Sequence, residues 1–154
     1  AELATATGVN GMVGGQYIDV RGLVPHGDVS LRRLHELKTG RLIAASVECV
    51  LLLSGDEQAT TRLAGFRAFA AELGVLFQIV DDILDVTGSD EELGKPSGSD
   101  ERHDKLTFVS AFGLERAREL ASESHRNARQ ALAQAAARTD DLARITDFIH
   151  TRHT

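Results

Sequence analysis

Phe77-Gln78-Ile79-Val80-Asp81-Asp82-Ile83-Leu84-Asp85-Val86 closes a long periodic stretch, residues 59–86. Within it Leu63, Phe66, Phe69, Ala70, Leu73, Phe77, Val80 and Leu84 recur three or four residues apart, the spacing of one apolar helix face. Gly88 supplies the stop. A helix of that length and apolarity needs other helices to cover it, and the chain offers them on both sides. The sequence predicts an all-α bundle.

Three acids interrupt this apolar run. Asp81 and Asp85 are four residues apart, so both carboxylates project from one face, and Gln78 lies on it too. They occupy the last turns of a helix, where the macrodipole disfavours negative charge by about 0.3–1 kcal/mol apiece. No Lys or Arg stands within one turn of them in the sequence. A solvated helix end is the bland alternative. The sharper reading is a cation site, because hard carboxylate oxygens suit Mg²⁺, which takes one or two of them and completes its shell with water and phosphate oxygens. Asp140-Asp141, followed by Arg144 at a helix start, reads as capping.

Magnesium on carboxylates calls for a phosphate partner. Lys38-Thr39 falls at an expected helix junction, where a lysine, a hydroxyl and free N–H groups of the next helix would converge on an anion. Lys95 and Lys105 follow the aspartates in a polar, glycine-containing stretch. Each lysine taken singly is an ordinary surface residue. Together with the aspartate helix they describe a diphosphate site.

Around the central stretch the expected helices are residues 1–20, 28–38, 40–53, 106–112, 114–137 and 139–150. Thr39 reads as the cap of the third, and the glycines Gly11, Gly14 and Gly15 of the first invite close approach by another backbone. Residues 87–105 hold Gly88, Gly94, Pro96 and Gly98 with many charges and almost no apolar side chains. Such a stretch inside a helical domain reads as a lid, a binding loop or a disordered segment. The 154 residues form one domain without internal repeats.

Composition excludes other classes. The chain is 42% hydrophobic but only 5% aromatic, with two prolines and a net charge of −6, which favours helix and leaves no basic face for nucleic acid. A single cysteine, Cys49, rules out an internal disulfide, and its apolar neighbours predict a buried thiol. No uninterrupted apolar run reaches a membrane span and no signal peptide opens the chain, so a cytoplasmic protein is expected.

Five motifs in order carry a family resemblance. Gly11-Met12-Val13-Gly14-Gly15-Gln16 with Asp19, His35-Glu36-Leu37-Lys38-Thr39-Gly40, Phe77-Gln78 with the Asp81–Asp85 pattern, Leu93-Gly94-Lys95-Pro96, and Asp100 through Asp104-Lys105 resemble the trans-isoprenyl diphosphate synthases. The resemblance covers essentially the whole chain. It implies the isoprenoid-synthase type of helical bundle, its C-terminal part, in an enzyme that joins an allylic diphosphate to isopentenyl diphosphate with Mg²⁺ as cofactor. It implies Asp81 as metal ligand with Asp85 beside it, and Asp82 as a supporting partner. Lys38, Lys95 and Lys105 would contact the diphosphate, Thr39 and Gln78 would line the reacting centre, and the enzyme would work as a homodimer. Such a reaction separates a diphosphate anion from a carbocation, so preplaced positive charge and a dry apolar cleft both lower the barrier.

Two departures stand out. Asp104 occupies the place before the last lysine where the family has a small or neutral residue. The family's first Asp-rich motif is absent, so the chain is expected to be an incomplete synthase domain, inactive alone. The alternative is a non-catalytic partner subunit of a heteromeric synthase. A terpene cyclase relative and a plain helical metal-binding module fall behind, the latter because it leaves the lysine motifs unexplained.

Overall fold

A computed structural model of the chain describes residues 1–23, 28–55, 58–88, 105–135 and 138–152. The described residues are helical with no strand: α1 (Glu2–Thr7), α2 (Met12–Val20), α3 (Asp28–His35), a π-turn (Glu36–Gly40), α4 (Arg41–Leu53), α5 (Ala59–Thr87), α6 (Phe108–Phe112), α7 (Leu114–Gln134) and α8 (Asp140–Thr151). Fold class and helix order follow the sequence reading. Lys95 and most of residues 87–105 lie outside the described residues, and so does the lid reading placed there.

α5 is the axis. Phe69, Ala70, Leu76, Ile79, Val80 and Ile83 are fully buried, so nearly every face of its second half is covered. By length and composition alone, residues 61–87 would also suffice to cross a membrane, which corrects the expectation that no stretch approaches a span. Counting uninterrupted apolar runs missed it; half of it is buried against neighbouring helices. α7 packs along α5 through Ala117, Ala121, Ser124, Ala128 and Ala131, a buried stripe of small side chains that brings the two backbones close. Its outer face carries Arg116–Glu119, Arg116–Glu123 and Arg118–Glu115 ion pairs, which complete the amphipathic pattern. Gly113, at φ 83°, makes the tight corner between α6 and α7 that an L side chain would strain.

Three local readings are corrected. Residues 1–20 are two helices, because the backbone leaves helical geometry at Gly8 and at Gly11. Residues 28–53 are one continuous helical run with a π-turn inside it, not two helices with a cap at Thr39. Gly40 and Arg41 have ordinary α dihedrals, and the Arg41 N–H donates to the Glu36 carbonyl, five residues back. Cys49 is half-buried, since α4 turns the neighbouring Glu48 inward. The start of α8 agrees in part: Asp140 and Asp141 lie in its first turn and Arg144 reaches Asp141 at 3.7 Å, but Thr139 stands at the N-cap and no side chain makes a capping hydrogen bond there.

Candidate functional site

Gly74, Gln78, Asp81 and Asp85 fall four, three and four residues apart on α5, one stripe along the helix. Gln78 and Asp85 are buried, at 8% and 1% exposure, while Asp81 is exposed. Among the described residues Asp81 makes no hydrogen bond or ion pair, so its carboxylate is directed to solvent and to whatever approaches from it. Asp82 points elsewhere. It is buried and its Oδ2 accepts the backbone N–H of Phe108 at 2.7 Å. A charge-assisted bond to the first residue of a helix satisfies a donor that the helix itself leaves open.

That bond ties α6 to the aspartate helix, and the segment entering α6 carries Lys105. The Thr107 hydroxyl accepts from the Ser110 N–H while the Ser110 hydroxyl accepts from the Thr107 N–H, a reciprocal cap that fixes the entry. The Phe108 ring stacks on buried His35 at 5.4 Å, locking α6 against α3. Lys105 is exposed, three residues ahead of that anchor.

The π-turn sets Lys38 against α2. Its Nζ donates to Asp19 Oδ2 of α2 at 2.6 Å, with both side chains partly buried. Gly15, one turn before Asp19, is the reason α2 can come so close. A Cβ there would sit 2.5 Å from the Lys38 backbone nitrogen, a distance real side chains essentially never adopt. The close-approach reading of the glycines therefore holds at Gly15. At Gly11 and Gly14 the nearest atoms belong to Ala6 of α1 and to Val9 of the α1–α2 break. On the other helix, a Cβ on Gly74 would lie 2.9 Å from the Gly40 Cα, so α5 meets the turn backbone to backbone.

The structure thus brings Lys38, Thr39, Gln78, Asp81 and Asp85 onto elements in direct contact, and ties the Lys105 segment to α5 through Asp82. It removes the free helix N-terminus expected at Thr39. Asp19 and Phe108 are partners to which the sequence assigned no role. Asp19 was legible: it shares a helix face with Gly15, so the position that admits another backbone also aims its carboxylate there.

The donor set suits a hard divalent cation. Two carboxylates on one face match the few protein ligands Mg²⁺ takes, and no group of three or more His, Cys, Asp or Glu that could hold a metal occurs among the described residues. A cation here would draw the rest of its shell from water and substrate oxygens.

Known proteins share this sequence and fold. The polyprenyl synthetase family model matches residues 3–150. The chain is 39% identical over 157 residues to farnesyl diphosphate synthase of Escherichia coli (strain K12), covering 99% of this chain and 52% of that protein. It is 44% identical over 135 residues to the chloroplastic geranylgeranyl pyrophosphate synthase of Capsicum annuum, covering 86% of this chain and 36% of the relative. A crystal structure of a Helicobacter pylori geranyltransferase, complexed with magnesium and isoprenyl diphosphate, superposes with a TM-score of 0.80 at 32% identity, over 96% of this chain and 48% of that one. The chain spans about half the length, or less, of these relatives.

Proposed function

Because the chain belongs to the polyprenyl synthetase family, we propose that it supplies the second aspartate-rich half of a magnesium-dependent prenyltransferase site, joining an allylic diphosphate to isopentenyl diphosphate. The observation that carries this reading is the backbone contact of the Lys38 turn with the helix bearing Gln78, Asp81 and Asp85. The turn that carries Lys38 and the helix that carries the two carboxylates are thereby packed on one another.

In this reading Asp81 and Asp85 would hold Mg²⁺, which would supply positive charge to the departing diphosphate. Lys38, oriented by Asp19, contacts that diphosphate, and Lys105 and Lys95 reach it from the segment after α5. The Thr39 hydroxyl and the Gln78 amide present dipoles to the carbocation, while the buried apolar faces of α5 keep water away from it. Val13, Tyr17 and Val20 form an exposed apolar stripe on α2, which supports the homodimer.

The test uses the protein that carries this chain, expressed from its full reading frame. Labelled isopentenyl diphosphate is supplied with dimethylallyl, geranyl or farnesyl diphosphate, with Mg²⁺ or with chelator. Magnesium-dependent transfer of label into a longer prenyl diphosphate is the expected result. No elongation with any of the three acceptors would refute the reading and favour the non-catalytic partner subunit.

A further inference from the structure

The π-turn bearing Lys38 and Thr39 is held at two places where no side chain intervenes. At one, Gly15 of α2 lies against the Lys38 backbone. At the other, Gly74 of α5 lies against Gly40, glycine on glycine. Gly74 begins the stripe that continues through Gln78, Asp81 and Asp85. The depth at which the turn meets Gly74 therefore sets how far Lys38 and Thr39 stand from that stripe. We infer that Gly74 is a positioning residue of the synthase site, acting through the Lys38–Thr39 turn; this rests on the proposed role of those residues.

The geometry gives the inference its scale. A Cβ at Gly74 would sit 2.9 Å from the Gly40 Cα and 3.6 Å from its nitrogen. Carbon atoms prefer roughly 3.5–4.0 Å, so an added methyl pushes the two backbones apart by about 0.6–1 Å. Neither side can yield by turning a side chain. A misplacement of that size in a preorganised site costs on the order of 10- to 100-fold in rate. Gly65 is the matched control in the same helix. A Cβ there would meet Ala135 at 3.4 Å or more, ordinary contact, while the gain in helix propensity from Gly→Ala is the same.

The experiment compares Gly74→Ala with Gly65→Ala in the full-length protein. Three quantities are read: kcat for condensation, the Kd for inorganic diphosphate with Mg²⁺, and amide hydrogen exchange over residues 36–41. Gly74→Ala is expected to lower kcat at least about tenfold, raise the Kd, and speed exchange at the turn, with Gly65→Ala near wild type in all three. A loss of folded protein would not change the Kd of the molecules that remain. Adding Lys38→Ala tests the route, since two changes acting through one group combine to less than their sum. If the wild type is active and Gly74→Ala behaves like Gly65→Ala, the inference falls and the function stands. If the wild type neither condenses substrate nor binds diphosphate, the function falls, and exchange at residues 36–41 alone then decides whether Gly74 sets the turn.

Discussion

Lys38 and Asp19, 19 residues apart, meet through a 2.6 Å contact between Nζ and Oδ2 in a partly buried place. Gly15 lets α2 reach the turn, Asp19 then faces Lys38, and on its other side the π-turn packs through Gly40 on Gly74 of the aspartate helix. An extended, oriented lysine loses less side-chain freedom when a diphosphate arrives than a mobile one does. The ion pair preorganises Lys38.

Removing that partner gives the first prediction. Asp19→Asn in the full-length protein is expected to lower kcat/KM about tenfold, corresponding to the ~1.4 kcal/mol of one oriented contact, with a smaller effect on thermal stability. Steady-state kinetics beside a melting curve checks it. An unchanged kcat/KM would mean that Lys38 needs no holder.

Asp82 and Asp81 are adjacent but should fail differently. Asp82→Ala leaves the buried Phe108 N–H without its acceptor and is expected to cost about 1.5–3 kcal/mol of stability. Asp81→Ala, at an exposed position, should stay within about 0.5 kcal/mol of wild type. Urea unfolding of both variants measures this, and equal losses would contradict the division of labour.

The helix bundle was legible because its signals are local. The periodicity of α5 and the acids opening α8 each act within a few residues. The candidate site was legible as residue types: Asp81, Asp85 and Gln78 share one helix face by spacing, and Lys38 enters only as their phosphate-binding complement. Two things were not legible. The π-turn replaces a capped junction because Gly40 meets Gly74 from α5, a contact 34 positions away in sequence that no local propensity encodes. The anchoring of α6 by Asp82 is likewise long-range, 26 residues apart, and α6 itself is short enough to depend on it.

A pH-dependent contribution is expected from Glu48. The hydrogen bond from Arg67 holds its carboxyl below the ordinary glutamate range, against the opposing effect of burial, with the charges of Arg67 and Arg41 adding to the lowering. A depressed folded-state pKa means that Glu48 adds stability that is complete above the unfolded value of about 4.3. That stability is lost as pH falls through the lower folded value. The difference in urea midpoint between wild type and Glu48→Gln should therefore be largest near neutrality and shrink below about pH 4. A difference that grows on acidification would refute it.

Overpacking tests the α5–α7 seam. Ala121 is fully buried in the small-residue stripe, so Ala121→Leu is expected to cost about 1–3 kcal/mol by forcing the helices apart. A wild-type melting temperature in this variant would mean that the seam holds unused space.

The central claim is that Asp81 serves catalysis and Asp140 serves only the fold. The most direct test is the rate of magnesium-dependent condensation by the full-length protein carrying Asp81→Ala or Asp140→Ala, each beside wild type. Losing a cation ligand removes several kcal/mol of transition-state stabilisation, so Asp81→Ala should fall by roughly a hundredfold or more. Losing a first-turn acid weakens α8 by at most about 1 kcal/mol, so Asp140→Ala should turn over at nearly the wild-type rate. Equal rates for the two variants would contradict the account.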